Sequence, residues 1–242
     1  MKLCKSSSDR EALNMGLDIK LKNLMCSSCS LHCAMMPEKS PRQEYCANAC
    51  FCTWPEDSLY FNRGIIDGIV NKNHNARLNG YIFVDFSVSF FRLFLDDEWI
   101  NYLASSSMGI VLVTDRNMQP LANYWRKNHP AVSAVIYHNE SMNVANEKIR
   151  QLFIGHFLSF AKGSTLTKME FKIMGSMIRG SDPQDIAQDL DLDIRSVYAY
   201  KQRIEKRMGR KLNSLFIDSH PVTREQPSPL PTEKRKAELV LA

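Results

Sequence analysis

Residues 193–211 read DIRSVYAYKQRIEKRMGRK and hold seven Lys and Arg against two carboxylates, Asp193 and Glu205. Placed at about 100° per residue, Val197, Ile204 and Met208 fall on one side of a helix, with Tyr200 at its margin. Arg195, Ala199, Gln202 and Lys206 fall on the other, flanked by Tyr198 and Arg203. A solvated surface helix mixes its signs, so a one-sided cationic face needs a further cause. Entry into the major groove of a duplex supplies one, because the groove admits a helix whose side chains reach base edges while its apolar back is held by a small core. A basic solvated face on a structural helix is the plainer alternative. The formal net charge of the 242-residue chain is +5, and this stretch alone contributes +5, so the remainder sums to zero and the basicity is local.

The segments around this stretch continue the helical reading. Thr167 followed by Glu170 is a capping box. The helix it starts runs to Gly180, which can take the left-handed conformation that ends a helix. Asp182 with Pro183 starts a second helix that turns Ile186, Ala187 and Leu190 inward, and Asp193 caps the third. Leu212, Leu215 and Phe216 stand at i, i+3 and i+4 on a last helix.

LTKMEFKIMGSMIRGSDPQDIAQDLDLDIRSVYAYKQRIEKRMG, residues 166–209, resembles the LuxR/FixJ type of helix-turn-helix in its LT..E..I, IA..L.L, SV and RMG anchors. The resemblance implies an all-α four-helix domain over 166–218 in which Tyr198, Ala199 and Gln202 contact bases. Arg195, Ser196 and Lys201 would approach the backbone. By the charge pattern Arg203 and Lys206 belong to the DNA-facing side, and the remaining cations, Arg207, Arg210 and Lys211, would sit near phosphates, which give salt-sensitive, sequence-independent affinity. The last helix commonly mediates dimerisation in that family; closing the core is the equal alternative. Tyr198 stands where the family usually has lysine, and Tyr200 where it has histidine. Asp185, Asp189 and Asp191 would repel DNA if they faced it. DLDLD lacks the glycine and glutamate of a calcium loop.

Upstream, buried-looking β runs alternate with helical ones: ACFCTW, GYIFVDF, GIVLVTD and VSAVIYH are separated by helical patterns through GIIDGIV, FFRLFLDDEWINYL and PLANYWRKN, with another from Ser141 to Phe160. That order predicts an α/β domain over 49–160, a parallel sheet with helices on both faces. AKGST at 161–165 reads as a linker. Residues 219–242, with four prolines between 221 and 231, read as a disordered tail.

The alternation is similar to a receiver domain. On that likeness Glu56 and Asp57 are the acidic pair after the first strand, Asp85 is the phosphoacceptor position and Thr114 the switch hydroxyl. His138 occupies the place of the receiver lysine, and a neutral imidazole does not neutralise an acyl phosphate as an ammonium does. The reading is therefore a degenerate receiver-like scaffold, with Asp85 as the candidate acceptor if phosphorylation is retained. DEW at 97–99 and LANYW at 121–125 resemble the EcpR/MatA regulators of fimbrial operons over residues 54–217, which implies control of fimbrial, biofilm or motility genes.

Residues 1–48 predict a cysteine-rich, weakly ordered leader with a helix near 11–25. All seven cysteines fall in the first 52 residues. Cys26, Cys29, His32 and Cys33 have zinc-like spacing, whereas Cys50 and Cys52 alternate as buried strand residues do. Inert thiols and redox sensing are the competing readings. No apolar run of about 18 residues and no signal-like start exist, which points to the cytoplasm and away from membranes. No cofactor and no nucleophile–base arrangement emerges, so an enzyme is not expected. The expected partners are double-stranded DNA, a second copy or a related regulator, and RNA polymerase. The alternative from another class is an interaction protein that binds another transcription factor, through the acidic second helix, without reading DNA.

Overall fold

The segments FCTW, YIFVDF, GIVLVT and VSAVIY are almost continuously apolar, as strands covered on both faces must be. They form β3 (Phe51–Trp54), β4 (Tyr81–Phe86), β5 (Gly109–Thr114) and β6 (Val132–Tyr137), paired in parallel in that order. The computed structural model describes residues 22–28, 31, 33–41, 46, 51–73, 80–156, 158 and 163–219.

The sheet is mixed, not purely parallel. Two short strands of the cysteine-rich segment, β1 (Leu24–Cys26) and β2 (Ala34–Met36), form an antiparallel pair, and β1 also runs antiparallel to β3, giving the order β2-β1-β3-β4-β5-β6. This part of the expected leader is thus an integral sheet edge, and residues 24–25 are strand, not helix. The physical reason lies in β3, which is buried along its whole length and needs a partner for its outer row of backbone groups. The helix expected near 11–20 and the tail from 220 onward lie outside the described residues. Ser219, assigned to the tail by sequence, is buried.

Helices cover both faces. On one face Phe51, Phe83, Val111 and Ile136 pack with Ile65, Ile69 and Val70 and with Ile149, Leu152 and Phe153. These come from α1 (Leu59–Ile65), which widens into a π-helical turn over Ile66–Val70 and closes at Asn71–Asn73, and from the helix at Met142–Phe153. Buried Asn146 satisfies the widened turn: its Nδ2 donates to the Gly68 carbonyl at 3.0 Å and its Oδ1 accepts from Asn73 Nδ2 at 2.8 Å. A Cβ on Gly68 would stand 3.0 Å from Cε of the exposed Met142 side chain, which would have to shift slightly to admit it.

The other face is aromatic. The single helix expected across 90–103 is two pieces, a 3-10 helix (Val88–Phe94) and α2 (Glu98–Ala104). Asp96 separates them by accepting from the Glu98 amide at 3.0 Å, the side-chain-to-backbone bond that favours a helix start over a continuation. The break lets Phe94 and Trp99 both turn inward. Trp99 stacks on Trp54 at 6.1 Å and meets Phe94 and Trp125 edge-on at 5.1 and 5.3 Å. Trp125 belongs to α3 (Gln119–Asn128), and Met142–Phe153 is α4.

The remaining helices follow the sequence reading: α5 (Lys168–Ile178), α6 (Pro183–Asp189), α7 (Ile194–Met208) and α8 (Leu212–Asp218). They are joined to the sheet part across α3 and the 3-10 helix, and all described residues fall in one compact unit. Phe171 of α5 stacks on Tyr124 at 4.4 Å and meets Trp125 edge-on at 5.3 Å. Within the expected linker, the Ser164 carbonyl accepts from Asn123 Nδ2 at 2.9 Å. Arg92 lies 3.7 Å over the Phe216 ring and donates to the Phe216 carbonyl at 3.1 Å and to Ser219 Oγ at 2.9 Å.

Trp99 has no solvent exposure and touches rings from four other elements. Replacing it with Ala should cost about 3–5 kcal/mol of unfolding free energy, read as a lowered urea midpoint.

Candidate nucleic-acid interface

The path to α7 starts at two caps. Thr167 Oγ1 accepts from the Glu170 amide at 3.2 Å while Glu170 Oε2 accepts from the Thr167 amide at 2.8 Å. This starts α5, and Gly180 at φ 88° ends the segment in the left-handed region that glycine tolerates. Asp182 caps α6 through the Gln184 amide at 2.8 Å. Asp193 caps α7, accepting from the Ser196 amide and hydroxyl at 2.8 Å each, and these bonds hold its carboxyl below the usual range. Gly209, at φ 68°, ends α7.

Val197, Ile204 and Met208 are buried, so the apolar side of α7 is held against the helical core as its spacing predicts. Arg195, Tyr198, Gln202, Arg203 and Lys206 are exposed, and Ser196, Ala199 and Lys201 are half-buried. Arg203 sits 5.0 Å over the ring of Tyr200, an i, i+3 pair that holds the guanidinium beside the exposed row.

Two cations assigned to phosphates by sequence have protein partners. Arg207 Nε pairs with Glu170 Oε1 at 3.3 Å, and its guanidinium also reaches the Thr165 carbonyl. Glu170 is only 2% exposed, so this pair is the more deeply set one. Arg210 pairs with Asp218 at 2.6 Å across the turn into α8. The carboxylate inside the basic stretch, Glu205, accepts from the Leu212 amide at 3.1 Å and so caps α8. The outward row keeps Arg195, Lys201, Arg203 and Lys206. Leu212 and Leu215 are fully buried in the chain's own core and Phe216 is covered by Arg92, while Ile217 is 77% exposed.

Residues 25–153 match the family model described as EcpR N-terminal domain. Residues 164–214 match that of bacterial regulatory proteins, luxR family. The chain belongs to the EcpR family. Its α5–α8 segment is a LuxR-family DNA-binding domain, and the protein is a transcriptional regulator of that class. An Escherichia coli (strain K12) relative, Uncharacterized protein YqeH, is 69% identical over 208 residues, 86% of this chain and 99% of the relative. Among solved structures, one of two RcsB dimers bound to two parallel DNAs aligns with 62% of this chain and 78% of its own at 13% identity and a TM-score of 0.37. Full-length FixJ from B. japonicum aligns with 62% and 79% at 17% identity and a TM-score of 0.22. Overlaps this loose add nothing to what the sheet order and the helices already establish.

In this EcpR-family chain the residues singled out on the receiver likeness, Asp57, Asp85 and Thr114, lie at or beyond the carboxyl ends of β3, β4 and β5 and are bonded within the chain. Asp85 Oδ2 accepts from Ser58 Oγ at 2.5 Å. Asp57 pairs with Lys22, a cation brought from the leader, which sequence reasoning did not place there. Asp115 accepts from the Val88 and Met118 amides at 2.8 and 2.9 Å, and Thr114 donates to the Asp115 carbonyl at 3.1 Å. His138 is exposed. Among the described residues no three His, Cys, Asp or Glu side chains gather as a metal site, and no helix is long and apolar enough to cross a membrane. Of the zinc-like set, Cys26 is buried in β1 and Cys33 is half-buried beside it, while Cys29 and His32 lie outside the described residues.

Burial pushes the Asp85 carboxyl above the usual range, with the Asp115 charge adding to the shift and hydrogen bonds from Ser58 and Ser87 opposing it. The native state therefore keeps this proton at pH values where the unfolded chain has lost it. Asp85 accordingly favours folding below the ordinary carboxylate pKa of about 4, and that contribution is lost as pH rises through the folded value. Asp85→Asn should be more stable than the native chain at pH 7, with the difference shrinking towards zero near pH 4. Urea titrations across that range read the effect.

Proposed function

We propose that this regulator reads a promoter duplex with α7 in the major groove. Tyr198, Ala199 and Gln202 face base edges there, while Arg195, Ser196, Lys201, Arg203 and Lys206 lie along the backbone. The observation that carries this reading is the division of α7: Val197, Ile204 and Met208 are buried while Arg195, Tyr198, Gln202, Arg203 and Lys206 are exposed. Arg210, paired with Asp218, has a weaker claim to a phosphate than the sequence assigned it. The degenerate sheet part acts as a scaffold. Asp85, the candidate acceptor, is held by Ser58, and Lys22 faces Asp57, which supports a platform that does not depend on phosphorylation.

The likeness to EcpR supports control of fimbrial, biofilm or motility genes, in the cytoplasm and without catalysis. A homodimer, or a pair with a related regulator, would place two readers on one operator, with RNA polymerase contacted or excluded. Three exposed aspartates, Asp185, Asp189 and Asp191, favour as a second reading an interaction protein that binds another regulator without touching DNA. A gel shift on genomic fragments at low salt separates the two, because absence of any retained fragment removes the DNA reading.

With the preferred fragment in hand, Gln202→Ala should reduce discrimination against mismatched sites by about 1–3 kcal/mol, or about five- to 150-fold. Lys206→Ala should instead weaken all sequences alike and lower the slope of log affinity against log salt by about 1. Equal, sequence-blind losses in both variants would contradict the division of roles.

A further inference from the structure

The cysteines of β1 and β3 stand outside everything the DNA-reading function uses. Cys26 and Cys52 are direct partners across the antiparallel β1–β3 pair. The Ser27 amide donates to the Phe51 carbonyl at 2.8 Å, which makes the next pair inward, Cys26 and Cys52, a non-hydrogen-bonded one. In such pairs the Cα atoms stand about 4.5 Å apart with both side chains on the same face. That face carries Trp54 and α2, and the loop leaving α2 brings a third sulfur: Met108 Sδ lies 3.9 Å from Cys52 Sγ. Met36 on β2 reaches the same loop, with its Sδ 4.0 Å from Ser105 Oγ.

We propose that Cys26, Cys52 and Met108 form a three-sulfur site for a soft monovalent metal ion, Cu(I). Thiolate and thioether donors select Cu(I) over harder ions. A trigonal ion with metal–sulfur bonds of about 2.3 Å holds its ligands about 4.0 Å apart, close to the spacing that Cys52 and Met108 already have. The two thiols lose their protons to solvent, two Cu–thiolate bonds and one Cu–thioether bond form, and no electron is transferred. Met108 is half-buried at the loop, which gives the ion an entrance, while both cysteines are buried among apolar groups that keep water away. Bound metal would fasten the β1–β2 edge to β3 and to the α2–β5 loop, stabilising the fold by mass action. The competing account is that three polarizable sulfurs pack together as ordinary apolar groups.

The test is an anaerobic titration of the reduced full chain with Cu(I) against the chromophoric chelator bathocuproine disulfonate. One equivalent should be withheld from the chelator and the melting temperature should rise with it. Met108→Leu preserves the packing and should weaken the hold by about tenfold or more. Cys26→Ala and Cys52→Ala should each remove it, and Cys46→Ser, an exposed thiol, should leave it intact. No copper withheld, an unchanged Met108→Leu variant, or an equal loss in Cys46→Ser would overturn the proposal. Should the cysteine variants fail to fold, copper-edge X-ray absorption of the selenomethionine-labelled chain decides: a copper–selenium neighbour that disappears in Met108→Leu supports the site, and its absence in the unmutated chain rejects it.

Discussion

The stacking of Phe171 on Tyr124 and its edge contact with Trp125 fix where the reading helix stands. Trp125 meets Trp99, and Trp99 meets Trp54, so a continuous aromatic contact runs from β3 to the first helix of the DNA-binding segment. Because interiors are close-packed, displacing one ring forces its neighbours to move or leaves a void. Two further contacts add direction to that anchor. Asn117 donates to the Met208 carbonyl at 2.8 Å, at the last turn of α7, and Arg92 covers Phe216 on α8. Sheet and reader are therefore joined through packed rings and directed hydrogen bonds, not through the short connecting segment alone.

The same packing sorts the charges. Buried Glu170 is tolerable because it satisfies a helix start and faces Arg207, a use of the cation that the helical wheel alone does not disclose. Arg210 is drawn to Asp218, and Glu205 to the amide that begins α8. Once those groups are committed to the protein, the outward face of α7 carries cations and hydrogen-bonding groups around the small side chain of Ala199. Such a face approaches a polyanion without an opposing carboxylate in its row. Of the aspartates nearby, Asp182 and Asp193 turn their charge onto the amides that start α6 and α7, whereas Asp185, Asp189 and Asp191 remain exposed.

The helical reader was legible almost residue by residue, because its signals are local. A capping box, a proline at a first helical position, two glycines at helix ends and an apolar spacing of seven and four act within a few residues of one another. The parallel strands were equally plain from their apolar runs. Two features of the secondary structure escaped. The break between Phe94 and Glu98 depends on Asp96 accepting one amide, a choice that an amphipathic pattern does not display. The edge hairpin was hidden because three-residue strands are too short to show a period, and only the unfilled side of β3 makes them strands.

Local chemistry in the chain thus determined which segments are helices and strands, where the reader begins and ends, and which side of α7 is apolar. Tertiary structure alone decided that Leu24–Cys26 pairs with β3, that Lys22 meets Asp57, that Arg207 and Arg210 pair with Glu170 and Asp218, and that α8 lies under Arg92. The difference is one of range. Caps and periodicity are settled by neighbours along the chain, whereas ion pairs, sheet edges and ring contacts join residues separated by tens of positions, and their partners exist only once the chain has closed on itself.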